Sequence, residues 1–392
     1  MRPGPPYRAF DSVVTVFALF LVTGAVNLEM PLYHAYASRA GYGNGMTTLM
    51  FATYIAGLLP SLLFFGGISD RLGRKPVLLA GLSAAMCATG LMIWEPGMRL
   101  LFVARVLQGL GVGLSMGAGS AYLAEALRGP EAVRRSAVYV AIATSLGFGG
   151  GAVFTGTLLL FGITLKPVSY PIHVAAAALC IAMLSAMRPD RTSGRPEGLQ
   201  GAGWLRLPHF PKGSVPIGLT ITLAWAVTGV VISLMPAQLA RHGLSAWAGH
   251  ALFLVNGTGV AVQPWARRMH PRKALFLGAL LLPVGYGSLL YGAWTGGMAF
   301  VLAGAALAGA ACYGFTYLGG LAELSLRGAA HRARSVSGYF VLAYLGFGLP
   351  SVGLGFLSDR FGLMPALAGF GIVLCMLCSW QAVWARSQPN SH

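Results

Sequence analysis

The residues best suited to do chemistry are a carboxyl group and a guanidinium group that lie within long apolar stretches. Glu29 lies near the end of the apolar run that begins at Val13, and Arg105 lies in another run, three residues before Gln108. Arg105 and Gln108 share one helix face because of this spacing. An arginine inside a membrane is costly and usually points into the bundle or a wet cavity with a partner. Counted along two antiparallel helices, Glu29 lies ~6–9 Å and Arg105 about 9 Å below the outer surface, so we expect the two to pair.

Such a pair can exchange a proton with either side of a membrane. Burial and a nearby arginine act in opposite directions on the charge of a carboxyl group. A conformational change that opens the cavity to one side alters both effects. Glu29 can then hold a proton in one state and release it in another, while protonation frees Arg105 for a substrate or for Gln108. The alternative interpretation is a permanent structural ion pair near the outer rim.

The composition of the chain is that of a polytopic membrane protein. Of its 392 residues, 56% are hydrophobic and only 9% are charged, and the mean hydropathy is +0.69. A soluble domain of this size needs far more polar surface. The N-terminal run, followed by Ala35-Tyr36-Ala37, has features of a cleavable signal peptide. It is long for that role and carries Glu29, so we interpret it as the first spanning helix.

The apolar runs predict an all-α integral membrane fold with twelve transmembrane helices, at about 20 residues each. The hydrophilic segment 188–213 is the candidate linker, and it separates a six-helix N-terminal half, 1–187, from a six-helix C-terminal half, 214–392. The predicted helices cover residues 12–33, 46–69, 76–94, 99–126, 136–161, 170–187, 215–239, 247–266, 273–294, 298–325, 335–357 and 363–384.

The cations are distributed unequally between alternate connections. Of the 27 Lys and Arg residues, 21 fall on one side of the predicted helices and 5 on the other, and Arg105 lies within a helix. Because cytoplasmic loops carry the excess of cations, we expect both termini and the linker to be cytoplasmic. The net charge of +17 is not accompanied by basic runs with interleaved aromatics. We therefore expect the lipid bilayer, and no nucleic acid, as a partner.

The sequence shows no signature of an enzyme or of a cofactor site. Its five cysteines all lie in apolar stretches and form neither a plausible disulfide set nor a zinc spacing. It contains no Walker loop, no nucleophile–base arrangement and no cluster of metal ligands. We expect no catalytic activity, no metal and no cofactor.

The connection after the second predicted helix has a specific polar pattern. Residues 66–78 read GGISDRLGRKPVL. This resembles the signature G-x-L-x-D-R-x-G-R-K of major facilitator superfamily transporters, with Ile68 at the leucine position. Residues 105–111 resemble the same family's R-x-x-Q-G-x-G motif. The resemblance covers nearly the whole chain and implies alternating access by rocking of two six-helix halves.

The resemblance also implies a cytoplasmic latch between the two halves. The family pairs acids at the ends of the fourth and tenth helices with loop cations. It places Asp70 near the N-terminus of the eleventh helix, where unsatisfied N–H groups favour a carboxylate. The residues implied in this latch are Gly66, Asp70, Arg71, Gly73, Arg74, Lys75, Glu125, Glu323 and Arg334.

The chain repeats itself at an offset of 198 residues. Leu123-Ala124-Glu125 returns as Leu321-Ala322-Glu323, and Arg74-Lys75 returns as Arg272-Lys273. Such a repeat predicts two parallel halves of similar fold that enclose a site at the membrane midplane.

The fifth predicted helix carries small residues at every fourth position. Residues 147–156 resemble the antiporter motif G-x-x-x-G-P-x-x-G-G, with Ala152 in place of its proline and Thr155 in place of one glycine. The motif is typical of exporters. Close packing of helices would by itself also explain the small residues.

Aromatic and polar residues within the helices are candidates to line a substrate cavity. For each of them, interfacial anchoring or core packing is the alternative. Few charges accompany them, which favours an amphipathic or weakly charged cargo. The candidates are Asn27, Tyr33, Tyr54, Tyr122, Trp225, Gln238, Asn256, Tyr313, Tyr317 and Tyr344.

These features favour a proton-coupled secondary transporter, a monomer in the bacterial inner membrane, that exports small amphipathic organic molecules such as drugs or metabolites. An alternative within the same fold is a proton symporter for uptake of a nutrient or metabolite. A different class is a non-transporting receptor or scaffold, which predicts no net flux. Glu29 and Arg105 argue against that class because it has no need of intramembrane charges.

Overall fold

The computed structural model describes residues 9–64, 68–127, 131–162, 164–187, 208–211, 213–328 and 332–387, without the side chains of residues 70, 332 and 333. Within these residues the secondary structure is helical, with no strand. We name the long helices in chain order. They are α1 (Ala9–Arg39), α2 (Asn44–Phe64), α3 (Arg74–Trp94), α4 (Met98–Leu127), α5 (Ala132–Leu159), α6 (Ser169–Ala186), α7 (Val215–Ala240), α8 (Ala248–Ala266), α9 (Pro271–Thr295), α10 (Met298–Arg327), α11 (Arg332–Phe361) and α12 (Leu363–Ser387).

Eleven of the described helices are long and apolar enough to cross a membrane. The twelfth is α8, which has 19 residues and packs along α5. This arrangement confirms the predicted all-helical membrane fold.

Two of the helices, α1 and α7, are interrupted near their C-terminal ends. The first segment of α1 ends at Asn27, and a 3₁₀ turn over Met30–Leu32 precedes the next segment. Pro31 lies in that turn and has no N–H to donate to the carbonyl group four residues before it. In α7 the break follows Ser233, and Pro236 lies at the start of the next segment. Continuous helices were predicted here because hydropathy does not change across either break.

A predicted helix end also differs from the structure. The eleventh helix was predicted to end at residue 357, but α11 continues to Phe361. The predicted end of the second helix cannot be compared in this way, because residues 65–67 lie outside the described residues. The eleventh helix ends where a glycine follows. It stops before Gly362, whose φ of +93° is a conformation that glycine adopts without strain.

The first six helices make close contacts with the last six at one end of the bundle. We call the end at which α2 begins the far end, and the end at which α3 begins the linker end. At the far end, a Cβ atom added to Gly249 in α8 would overlap the backbone of Ala152 in α5. One added to Gly156 in α5 would overlap the carbonyl oxygen of Ala246, in the turn just before α8. A Cβ atom added to Gly355 in α11 would likewise overlap Thr48 in α2. These contacts close the far end.

The small residues of α5 are divided between two neighbouring helices. A Cβ atom added at Gly147 or Gly151 would overlap α1, at Thr23 and Gly24 respectively. The backbone of Ala152 instead lies against α8. Close packing therefore accounts for the glycine pattern of α5, and its resemblance to the antiporter motif gives no independent information on the direction of transport.

Candidate substrate and coupling site

Arg105 lies fully buried in α4 and holds α1, α2 and α4 together. Its Nη1 atom donates to the carbonyl oxygen of Val26 at 2.6 Å and to Oε1 of Gln108 at 3.0 Å. Its Nη2 atom donates to the carbonyl oxygen of Phe51 at 3.2 Å. The guanidinium carbon also lies 4.9 Å from the ring centroid of Tyr54, which is within the range of a cation–π contact. Backbone carbonyls and aromatic rings thus stabilise the positive charge.

Gln108 connects this guanidinium group to the buried carboxyl group of Glu29. The Nε2 atom of Gln108 lies 3.1 Å from both carboxylate oxygens of Glu29, and it also donates to the carbonyl oxygen of Ala25 at 3.0 Å. All three side chains, Glu29, Gln108 and Arg105, are fully buried. They form a hydrogen-bonded chain from carboxylate to amide to guanidinium.

The expected pairing of Glu29 with Arg105 is made through Gln108 in this structure. Within the described residues, no ion pair joins these two side chains, because the amide of Gln108 lies between them. The depth estimate that paired them assumed a continuous α1. The break at Pro31 changes the course of the chain at Glu29, and Arg105 instead bonds the carbonyl group of Val26 just before that break.

Aromatic rings extend from this chain to the second set of helices. Trp225 of α7 lies 4.9 Å from Tyr344 and 5.8 Å from Tyr313, measured between ring centroids. Phe347 of α11 lies 6.0 Å from Trp225 and 4.7 Å from Phe51 of α2. We call Phe51, Tyr54, Trp225, Tyr313, Tyr344 and Phe347 the aromatic cluster. It bridges α2 of the first six helices to α7, α10 and α11 of the last six.

Several buried polar atoms around the cluster have no hydrogen-bond partner within the described residues. They include the hydroxyl groups of Tyr33 and Tyr54, Nε1 of Trp225 and Oδ1 of Asn27. Native proteins leave few such groups unsatisfied, and a bound molecule or water is one explanation. The site therefore combines ring faces with unused donors and acceptors.

Other predicted cavity residues have different surroundings. The amide of Gln238 donates to the carbonyl oxygen of Ala293 at 3.1 Å, and its Oε1 atom has no described partner. Asn256 donates to Leu252 of its own helix at 3.0 Å. The ring centroid of Tyr317 lies 6.1 Å from that of Phe340. Tyr317 follows Tyr313 by four residues in α10 and therefore lies about one turn nearer the linker end. These contacts do not connect the three residues to the aromatic cluster.

Phe51 and Phe347 were not among the predicted site residues. The selection favoured side chains with polar atoms, and neither phenylalanine has one. A signal was present in their spacing. Phe51 lies three residues before Tyr54, and Phe347 lies three residues after Tyr344, so each shares a helix face with a predicted residue.

Tyr313 lies in a widened part of α10. Residues Ala310–Thr316 form a π-helical segment between two α-helical ones. Such segments are rare and frequently occur at functional sites. Here the segment places Tyr313 near Trp225, and it brings Sγ of Cys312 to 3.0 Å from the carbonyl oxygen of Ala224.

At the linker end, acids and cations pair within each set of six helices. Arg74 forms an ion pair with Glu125 and donates to the carbonyl oxygen of Ala121 at 3.1 Å. Arg272 pairs with Glu323 at 3.3 Å. Both members of the second pair lie 198 residues after those of the first, so the sequence repeat is matched by a repeated contact.

The remaining residues implied in the latch have other roles or lie outside the description. Lys75 donates to the carbonyl oxygens at the end of α6, at 3.0 Å from Ser185 and 2.5 Å from Met187.

In the second set of helices, Glu323 also pairs with Arg327 at 3.0 Å. The carbonyl oxygen of Arg334 accepts a hydrogen bond from the backbone N–H of His209 at 3.1 Å.

The other predicted latch residues lie in or near the connection between α2 and α3. Gly73 adopts a φ of +90° and ends the short helix Ile68–Leu72, which contains Arg71. Gly66 and the side chain of Asp70 lie outside the described residues.

Sequence comparisons connect the chain to known transporters. The sequence model of the Major Facilitator Superfamily matches residues 15–351. Multidrug resistance protein D of Escherichia coli K12 is 30% identical over 105 residues, which are 26% of this chain and 27% of that protein. Multidrug resistance protein MdtL of Shewanella oneidensis is 34% identical over 77 residues, 20% of this chain and 19% of that one. The matches therefore span about a quarter or less of these relatives' lengths.

Solved structures share the fold over nearly the full chain. A variant of the nucleoside transporter NupG has a TM-score of 0.75 at 12% identity, over 95% of this chain and 99% of its own. A D-xylose-proton symporter has a TM-score of 0.68 at 15% identity, over 96% of this chain and 97% of its own. At such identities the likeness concerns the fold alone. The chain belongs to the Major Facilitator Superfamily, and its long apolar helices make it a multi-pass membrane protein.

Proposed function

We propose that this protein is a proton-coupled secondary transporter that exports small amphipathic organic molecules by alternating access. The observation that carries the proposal is the buried chain Glu29–Gln108–Arg105, which ends on a guanidinium group stacked near the aromatic cluster. A proton-binding group is thereby connected by hydrogen bonds to a cation beside a candidate substrate site.

Gln108 supplies a mechanism for coupling the proton to Arg105. When Glu29 is ionised, its oxygens accept from the Gln108 amide nitrogen, and the Gln108 oxygen faces Arg105. A protonated Glu29 has an O–H to donate and favours the amide oxygen as its acceptor. Rotation of the amide to meet that proton turns its NH₂ group toward Arg105, which then loses this acceptor. The freed N–H of Arg105 becomes available to a substrate or to another carbonyl group.

The aromatic cluster supports a small amphipathic cargo. Ring faces bind apolar surface, and the unused hydroxyl, amide and indole groups fix orientation. In the part of the chain that the structure describes, Arg105 is the charged side chain that contacts rings of the cluster, at Phe51 and Tyr54. A substrate with several charges would lose its hydration without finding matching partners.

The direction of transport is part of the proposal. Two relatives carry multidrug resistance names, which favours export. Uptake remains the second candidate, and a D-xylose-proton symporter among the structures of the same fold illustrates it. The relative named monosaccharide-sensing protein 2, from Arabidopsis thaliana, is 30% identical over 102 residues, 26% of this chain and 13% of that protein. Its name corresponds to the receptor alternative.

We further propose that the linker end faces the cytoplasm of a bacterial cell and that the closed far end faces outward. The excess of cations in the linker-end connections supports this orientation. In that orientation the contacts at the far end separate the site from the outside of the cell. The latch would form at the linker end in the opposite state, with Asp70 near the N-terminus of α11.

Gradient-driven flux in proteoliposomes tests the function and separates the candidates. We expect an acidic lumen to drive accumulation of one or more compounds from a panel of amphipathic molecules, sugars and nucleosides, since an antiporter exchanges protons for substrate. An alkaline lumen driving accumulation would establish symport. Absence of flux for every compound under either gradient would favour a receptor and contradict the proposal.

The variant Glu29→Gln tests the coupling site within the same assay. We expect gradient-driven accumulation to fall at least tenfold, while substrate counterflow without a gradient persists, because the amide keeps the shape and cannot carry the proton. Glu131→Gln, which removes an exposed carboxyl group paired with Arg134, is the control. An unchanged response of Glu29→Gln to the pH gradient would place the coupling proton elsewhere.

A further inference from the structure

The eight-residue segment that leads into α3 has a second copy at the opposite end of the bundle, where α11 meets α12. Residues 69–76 read SDRLGRKP and residues 358–365 read SDRFGLMP. The two share Ser, Asp, Arg, Gly and Pro at the same spacing, although they are not related by the 198-residue repeat. The first copy follows α2 at the linker end, and the second follows α11 at the far end.

The two copies also share a backbone turn. Gly73 has a φ of +90° and Gly362 a φ of +93°. A Cβ atom added to either glycine would lie 3.5 Å from Cδ of the proline three residues later, Pro76 or Pro365. Sequence and geometry therefore identify the far-end loop as a second instance of the same structural element.

The acid of the far-end copy binds the start of α2. Asp359 Oδ1 accepts from the backbone N–H of Asn44 at 2.7 Å, and Oδ2 accepts from that of Gly45 at 2.8 Å. A carboxylate is favoured there because the first N–H groups of a helix have no partner within the helix. α2 belongs to the first six helices and α11 to the last six, so this contact joins the two sets.

The residues at the start of α2 leave room for that carboxylate. A Cβ atom added to Gly43 would lie 2.6 Å from Oδ1 of Asp359. One added to Gly45 would lie 2.5 Å from a ring carbon of Phe356 in α11. Glycine at both positions is thus required for the observed contact.

We propose that Asp359 is a latch that holds the far end closed and must release α2 before the far end can open. α2 and α11 run antiparallel, so the loop after each helix lies beside the start of the other. The far-end copy already makes its contact in this closed state. The same chemistry at the linker end, by Asp70 on the start of α11, would stabilise the opposite state, and the two latches would alternate. The inference concerns the conformational equilibrium and does not depend on the substrate or on proton coupling.

Distance measurements between spin labels test this latch without a transport assay. Labels on cysteines at positions 161 and 241 report on the far end, since both native residues are exposed and lie on different six-helix sets, away from the Asp359 contact. The five native cysteines are first replaced. In detergent or nanodiscs without substrate, we expect Asp359→Ala to increase the population with long distances about fivefold, the typical effect of losing a helix cap.

Two further variants make the test decisive. Gly43→Ala keeps the carboxylate but displaces it from α2, so we expect a shift in the same direction. Arg360→Ala changes a neighbouring exposed residue, and we expect the wild-type distance distribution. An unchanged distance distribution in Asp359→Ala would overturn the latch. If Asp359→Ala does not fold, an unchanged distribution in Gly43→Ala would overturn it. A loss of thermal stability with no change in distances would identify a structural cap only, and would also overturn it.

Discussion

Gln108 is the residue that distinguishes the observed site from a simple ion pair. It accepts from Arg105 and donates to Glu29 at once, so we expect a change in the charge of the carboxyl group to act on the amide that Arg105 contacts. A fixed rim ion pair would have no need of such a bridge. The bridge therefore favours a role in coupling over a purely structural one.

The substitution Gln108→Leu removes the bridge with little change in volume. We expect gradient-driven accumulation to fall at least tenfold, because leucine forms no side-chain hydrogen bonds and cannot connect Glu29 to Arg105. Counterflow should persist, since Arg105 keeps its bonds to the carbonyl oxygens of Val26 and Phe51. Both fluxes are measured in the same proteoliposomes.

Gln381→Leu is the matched control for this experiment. Gln381 is equally buried, and its amide donates to the carbonyl oxygen of Pro216 at 2.8 Å, far from the coupling chain. We expect it to affect protein yield and both fluxes in parallel. If Gln108→Leu behaves in the same way as Gln381→Leu, the bridge has a structural role only.

At the residue scale, the sequence predicted which side chains matter better than how they connect. The spacing of Arg105 and Gln108 predicted their common face, and the apolar surroundings of Glu29 predicted its burial. The bridge was not predictable from spacing, because it depends on the break of α1 beside Glu29. Burial of Phe51 and Phe347 in the site depends on contacts between helices far apart in the chain.

At the scale of helices, α5 has the most specific packing. Its glycines at 147 and 151 allow backbone contact with α1 on one face. On another face Ala152 contacts α8, and Gly156 contacts the turn just before α8. The first contact lies within one set of six helices and the second joins the two sets. Their loss should therefore have different consequences.

Gly151→Ala tests the contact within the first six helices. The added methyl group would overlap the backbone of Gly24, which cannot move as a side chain can. We expect a destabilisation of about 1–3 kcal/mol, typical of overpacking, seen as a lower melting temperature of the purified protein. Gly150→Ala is the control, since its Cβ atom would lie 3.4 Å from the ring of Phe20, an ordinary contact. Equal melting temperatures for the two variants would contradict this account of α5.

Helix existence was predictable and helix interruptions were not. Apolar runs of sufficient length predicted the twelve helices because the bilayer requires them. The interruptions of α1 and α7 and the π-helical segment at Ala310–Thr316 leave hydropathy unchanged. Prolines at positions 31 and 236 were the available signal, since each removes one backbone donor.

At the scale of the whole molecule, the repeat relates the two sets of six helices. The ion pairs Arg74–Glu125 and Arg272–Glu323 occupy equivalent positions 198 residues apart, and α1 and α7 both break near their ends. The hydrogen-bonded chain Glu29–Gln108–Arg105 has no such counterpart. Ala303 and Ala306 stand 198 residues after Arg105 and Gln108. The two sets of six helices thus keep a common framework, while the buried charged residues Glu29 and Arg105 belong to the first set.

The orientation of this framework in the membrane can be tested directly. Of the 27 cations, 21 lie in connections on the linker side, and the energetic preference for cytoplasmic cations predicts that residues 188–213 lie inside the cell.

Residue 195 lies within this segment, outside the described residues. In a cysteine-free background, Arg195→Cys should resist a membrane-impermeant thiol reagent in intact cells and react after the membrane is permeabilised. Arg241→Cys, at the exposed far end of α7, should react in intact cells. Labelling of residue 195 together with protection of residue 241 would reverse the orientation. The closed far end would then face the cytoplasm.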